Sequence, residues 1–237
     1  GNPGIVFNGS GMWELVSNGQ AGSSGGAITL SASSIDLNPA GTVVFRANGV
    51  GNGTGGTVIF NASNGSIKNN AQSTVEMIAN GGETSGNAGL VTLIASQEVN
   101  MNGLTCRANA QGQGNGGGIT INGNQFVKLE KATIVSNAGS DGNGSNILIN
   151  GLIISINSDT EEGGDLTGIR SLGGTSSGNG GNIVLAAQSR LTIGSEVRIL
   201  SNPQGEGSGG SIELTSHQFR VGIARGNGTR QNKSPRP

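Results

Sequence analysis

The side chains of this 237-residue chain that could do acid–base or metal chemistry are few and scattered. The densest group is Asp159-Thr-Glu-Glu-Gly-Gly-Asp165, which places the carboxylates of Asp159, Glu161, Glu162 and Asp165 within one short stretch. Hard cations such as Ca²⁺ take several oxygen ligands, so this is a possible ligand loop. Its spacing matches no known ligand loop, and a solvated inserted loop is the favoured reading. Asp141-Gly-Asn-Gly-Ser145 has a fainter likeness to a Ca²⁺ loop. Glycoside chemistry needs two carboxylates facing one another across the scissile bond. Glu14 and Glu76 share an outward position but stand two repeats apart, with Val44 between them. His217 is the only histidine and Cys106 the only cysteine, so neither has a partner for a triad or a metal site. The Gly-rich run Gly112-Gln-Gly-Asn-Gly-Gly117 precedes no helical pattern, so it has no helix N-terminus to present to a phosphate. These observations predict no enzyme activity, no catalytic residues, no cofactor and no essential metal.

Such sparse chemistry directs attention to the elements that would carry it, and these repeat. Seven segments open alike: Gly26-Ala-Ile-Thr-Leu30, Gly56-Thr-Val-Ile-Phe60, Gly89-Leu-Val-Thr-Leu93, Gly117-Gly-Ile-Thr-Ile121, Ser145-Asn-Ile-Leu-Ile149, Gly181-Asn-Ile-Val-Leu185 and Gly210-Ser-Ile-Glu-Leu214. Gly4-Ile-Val-Phe7 reads as a shorter copy ahead of them. A fixed period of roughly 30 residues means a stack of like units, each packing on its neighbours. Within a unit, three short apolar alternations are separated by Gly, Asn and Ser, as in Val91–Leu93, Val99–Met101 and Leu104–Cys106. No window carries a helical stripe. The fold class is therefore all-β: a single-stranded parallel β-helix of about eight coils, three short strands per coil, spanning 1–223. At about 4.8 Å per coil the rod is roughly 35–40 Å long.

Stacking predicts ladders of equivalent side chains. Small residues follow the first strand: Gly9, Ala32, Ala62, Ala95, Gly123, Gly151, Ala187 and Ser216. Asn18, Asn48, Asn80, Asn109, Asn137 and Asn202 follow the third strand, interrupted at Leu172. Ser24, Thr54, Asn87, Asn115, Asn143, Asn179 and Ser208 precede the first strand. Asn suits a recurring turn because it tolerates left-handed backbone and bonds locally. Alternation places Trp13/Leu15, Val43/Phe45, Val75/Met77, Leu104/Cys106, Ala132/Ile134, Thr167/Ile169 and Val197/Ile199 inside, with Phe60, Leu93 and Ile121 buried from the first strand.

The outward faces are the remaining candidates. One outward position of the third strand runs Val16, Arg46, Ile78, Arg107, Val135, Arg170, Leu200. Arg46, Arg107 and Arg170 form a comb whose stems can pack on the aliphatics between them, or which could meet a polyanion or a neighbouring rod. The first strand shows Thr29, Ile59, Thr92, Thr120, Leu148, Val184 and Glu213, a flat stripe in which Ile59, Leu148 and Val184 suggest lateral packing. Only Thr92 and Thr120 are consecutive, which disfavours an ice-binding array. Residues 224–237 break the pattern; Arg225, Arg230, Lys233 and Arg236 sit in a Pro-containing tail, either solvated or docked on a neighbour.

Net charge is −1 and only 3% of residues are aromatic, poor footing for nucleic-acid binding. No stretch reads as a membrane span, and no signal peptide or initiator Met is present, as expected of a mature form or an excised fragment.

Gly114-Asn-Gly-Gly-Gly-Ile-Thr-Ile121, Gly178-Asn-Gly-Gly-Asn-Ile-Val-Leu185 and the turn Val135-Ser-Asn-Ala138 resemble the repeats of filamentous-haemagglutinin-type exoproteins over about residues 24–216. Asn2-Pro-Gly-Ile-Val-Phe7 is similar to that family's Asn-Pro-Asn-Gly-Ile motif but lacks the second Asn. The resemblance implies a right-handed β-helix on the bacterial cell surface, exported by two-partner secretion and used for adhesion or as a fibre. Both rod ends look unfinished. The first coil lacks a clear middle strand and the last lacks a third. The expected partner is therefore a second copy stacked end to end, or flanking coils of a longer chain, with environmental or host glycans as ligands. The rival readings are a carbohydrate-active β-helix enzyme and an ice- or glycan-binding solenoid.

Overall fold

The computed structural model describes residues 3–158 and 168–222. It is an all-β solenoid of about seven turns with every strand pairing parallel, in a 12-stranded and a 7-stranded sheet. Three short strands of one coil never pair with each other. Each pairs with its counterparts above and below, which is the only way strands this short can satisfy their backbone.

The registers follow the repeat. In the first strand, Ile28, Val58, Val91, Ile119, Ile147, Ile183 and Ile212 stand in one line. In the third, Trp13, Val43, Val75 and Leu104 do the same. Strands Ile119–Glu130, Ile147–Asn157 and Ile183–Ile193 run through the corner and join the first and second strand positions. The small-residue ladder marks that bend. Ala32, Ala62, Ala95, Gly123, Gly151 and Ala187 are all aligned and buried. At Gly123 a Cβ would lie 2.3 Å from the Phe126 carbonyl oxygen, so there the close approach of the backbone requires glycine.

The first coil differs from expectation. Ile5–Phe7 pairs with Ile35–Leu37, so it is a middle strand, not a copy of the first. No first strand precedes it among the described residues, and Gly9 lies outside the small-residue ladder. A three-residue apolar run cannot reveal which of three similar strand positions it occupies. The count is accordingly about seven turns, not eight, and the stack is roughly 34 Å tall.

The core is one column. Phe45, Phe60, Met77, Leu93 and Ile121 are fully buried, as alternation predicts. Aromatic rings gather at the N-terminal end, edge to face: Trp13 on Phe7 at 5.9 Å, Phe7 on Phe45 at 5.9 Å, Phe45 on Phe60 at 4.7 Å. Trp13 points inward yet stays 43% exposed, because no described coil precedes it. Leu15, Val197 and Ile199 are half-buried at the two ends of the described stack, and Thr167 lies outside the described residues.

Turns close on themselves by a backbone bond, such as Gly56 N–H to the Ala47 carbonyl at 2.6 Å and Gly89 N–H to Ala79 at 2.7 Å, except at the fifth, where Ser145 N–H donates to Ser136 Oγ at 3.3 Å. From the fifth turn on, the inward Ala at this point becomes Ser. Ser136 Oγ donates to the Gly117 carbonyl at 2.7 Å, Ser171 Oγ to Ser145 at 2.5 Å, and Ser201 Oγ to Gly181. These buried hydroxyls add a second clasp, and they satisfy themselves in doing so.

Candidate functional site

The turn asparagines are structural. The backbone N–H of Asn48 donates to Asn18 Oδ1 at 2.9 Å, Asn80 to Asn48 at 2.9 Å, Asn109 to Asn80 at 3.0 Å and Asn137 to Asn109 at 2.9 Å. At Leu172 the chain of bonds stops, and Asn137 Oδ1 is buried without a partner. The second polar ladder works alike: Asn115, Asn143, Asn179 and Ser208 each donate their N–H to the side-chain oxygen of the coil before, at 2.8 Å. A further Asn pair escaped the sequence reading. Asn102 N–H donates to Asn69 Oδ1 at 2.7 Å, and Asn69 Nδ2 donates to the Asn102 carbonyl at 2.7 Å.

The arginine comb exists in register: Val16, Arg46, Ile78, Arg107, Val135, Arg170 and Leu200 stand in line. Its members cover surface more than they present charge. Ile78 and Val135 stand on the outward line yet are 6% and 7% exposed, each aligned between two arginines of the comb. Val44, also outward, is 1% exposed beside the Glu14–Arg46 ion pair, which closes at 3.2 Å. Arg170 Nε is buried without a hydrogen-bond partner.

Ile59, Leu148 and Val184 share one outward line of the first strand, with Thr92 and Thr120 between Ile59 and Leu148. That line belongs to the other sheet, so the comb and the stripe are two faces and not one. Asp159, Glu161, Glu162 and Asp165 lie outside the described residues, as do Arg225, Arg230, Lys233 and Arg236.

The carboxylates do not gather. Glu14, Val44 and Glu76 occupy one line, with the valine between the acids. Among the described residues no group of three or more His, Cys, Asp and Glu could hold a metal ion. Cys106 is fully buried, and burial pushes its thiol pKa far up, which makes the thiolate inaccessible at neutral pH. No described helix is long and apolar enough to cross a membrane.

Two concavities lie at the outer bend between first and second strands. One of about 360 Å³ is lined by Asn122, Asn124, Asn150, Gly151, Ala186 and Gln188. Its neighbour of about 220 Å³ shares Ala186 and Gln188 and adds Thr215, Ser216 and His217. A third, of about 300 Å³, is lined by Asn102, Glu130, Lys131, Asn157 and Ser158, and borders the undescribed segment 159–167.

Among the described residues, no further strand pairs beyond the last coil. Ile212, Leu214, Phe219 and Val221 continue the inward lines of Ile183, Leu185, Leu191 and Ile193. They are 44%, 40%, 51% and 56% exposed, where their counterparts one coil below are buried.

No protein-family model, curated protein or solved structure matches this chain.

Proposed function

We propose that this chain is a structural and adhesive β-solenoid of the bacterial cell surface, similar to filamentous-haemagglutinin-type repeats, and that its rods join end to end. It is a scaffold and not an enzyme. The observation that carries the assembly is the exposed apolar coil of Ile212–Thr215 and Gln218–Val221. Four of its side chains stand in core register and are exposed, beside strand N–H and C=O groups that pair with no further described strand. Such an edge templates another β-strand, and its apolar residues gain free energy when the next coil buries them. The incoming surface has matching chemistry. Phe7, Trp13 and Leu15 form an apolar surface at the first described coil. Joining unlike ends is heterologous, so it extends as a filament unless rotation closes it.

Sedimentation velocity across a micromolar concentration series tests this. The expected result is a distribution that grows with concentration and collapses to monomer when Leu214 and Phe219 are both replaced by lysine. A sharp monomer at all concentrations would overturn self-assembly and leave flanking coils of a longer chain as the cover.

A further inference from the structure

We propose that the bend between first and second strands, over the coils of Ile119–Glu130, Ile147–Asn157 and Ile183–Ile193, is a binding groove for an uncharged, hydroxyl-rich saccharide chain lying along the rod. The groove rests on register. Asn122, Asn150 and Ala186 form one rail in direct alignment. Gly123, Gly151 and Ala187 turn inward at the bend, and both ladders slip in register just beyond it. The residues that follow, Asn124, Leu152 and Gln188, stand out as the second rail. Small residues at the bend leave a floor low enough for a concavity of about 360 Å³, within the size range of small-ligand sites.

The chemistry of the rails selects the ligand. The turn asparagines spend their side-chain oxygens on the next coil, and on the coil before the groove Gln97 Nε2 donates to the Asn64 carbonyl at 3.2 Å. Ser63 and Ser96 at the same bend likewise bond backbone carbonyls. The side chains of Asn122, Asn124, Asn150 and Gln188 make no such bond among the described residues. Each offers a carbonyl oxygen and an NH₂ group side by side, matched to vicinal hydroxyls that donate and accept together. No carboxylate, lysine or arginine lines the cavity, so an anionic or cationic ligand gains nothing there. Leu152 is 40% exposed between Asn124 and Gln188, an apolar step against which the C–H face of a pyranose can rest. The neighbouring cavity toward His217 extends the path, although Thr215 and Ser216 already donate to Glu213 and the Gln218 carbonyl.

This inference supplies the adhesive half of the function proposed above and is independent of stacking, since the groove is complete in one rod. The test is titration of the ¹⁵N-labelled full chain with neutral hexasaccharides of glucose, mannose and galactose, and with each free sugar, read on side-chain NH₂ resonances. The expected result is that at least one hexasaccharide moves the signals of Asn122, Asn124, Asn150 and Gln188, leaves those of Asn48 and Asn80 in place, and binds more tightly than its monosaccharide. Asn124→Ala with Gln188→Ala should weaken that binding about tenfold with the melting temperature unchanged. Arg107→Ala, on the opposite sheet, should leave it as it is. Silence of the whole panel at millimolar concentration, shifts confined to other faces, or full affinity in the double variant would each overturn the groove. None of these outcomes bears on sedimentation, so the two proposals fail separately.

Discussion

At Cys106 burial governs reactivity and stability together. The thiol lies in the core column between Met77 and Ile134 of the adjoining coils. Desolvation raises its pKa above the ordinary 9.0, because the thiolate would stand among aliphatic groups without water. The sign of the linkage follows. Below pH 9 folded and unfolded chains both keep the proton, and the full stability is present. Above it the unfolded chain ionises first, so this one group removes about 1.4 kcal/mol of stability per pH unit. The alkaline slope of unfolding free energy should therefore be shallower in Cys106→Ala than in the parent. Equal slopes between pH 9 and 10.5 would show that the thiol is not buried as described. The same residue shows what sequence could disclose. Alternation alone placed Cys106 inside, and it also placed Phe45, Phe60, Met77, Leu93 and Ile121 there, all now seen fully buried.

At the level of the element, one ladder carries its own control. Asn109 Oδ1 accepts the N–H of Asn137, whereas Asn137 Oδ1 is buried and accepts nothing. Asn109→Ala leaves a part-buried N–H without its acceptor and should cost about 1–3 kcal/mol. Asn137→Ala removes an orphaned oxygen while its own N–H bond to Asn109 stays, so it should cost clearly less. Chemical denaturation of the two variants decides it; equal losses would mean that the ladder bonds contribute nothing. These ladders were legible because stacking repeats one environment in every coil, and the residue that fits it recurs at a fixed period. Where repetition fails, so does legibility. Ile5–Phe7 was ambiguous because one strand position resembles another, and only pairing with Ile35–Leu37 fixes it. The burial of Ile78 and Val135 was hidden because alternation assigns a face, not what lies over it. The groove amides were invisible because Asn122 and Asn150 look in sequence like any turn asparagine. Only the register that lines them along one concavity, together with the bonds of the turn ladders, sets them apart.

For the whole molecule, stability must vary along the rod. Each coil contacts only the coils beside it, so a central coil has two interfaces and a terminal coil one. The C-terminal coil also leaves Leu214 and Phe219 40% and 51% exposed, and forfeits the burial that its counterparts one turn below obtain. Opening should begin there. Native-state hydrogen exchange should find the highest protection in the lines of Val91–Leu93 and Ile119–Ile121, falling toward Ile212–Thr215 and Gln218–Val221. Concentration then separates an isolated rod from an assembling one. If rods join, a second copy supplies the missing interface, and the amides of Gln218–Val221 should slow as concentration rises while those of Ile119–Ile121 do not change. Protection at the C-terminal coil that is low and independent of concentration would exclude end-to-end joining. High protection there already at nanomolar concentration would show that the uncovered coil is closed by this chain itself, which would remove the physical reason for a filament.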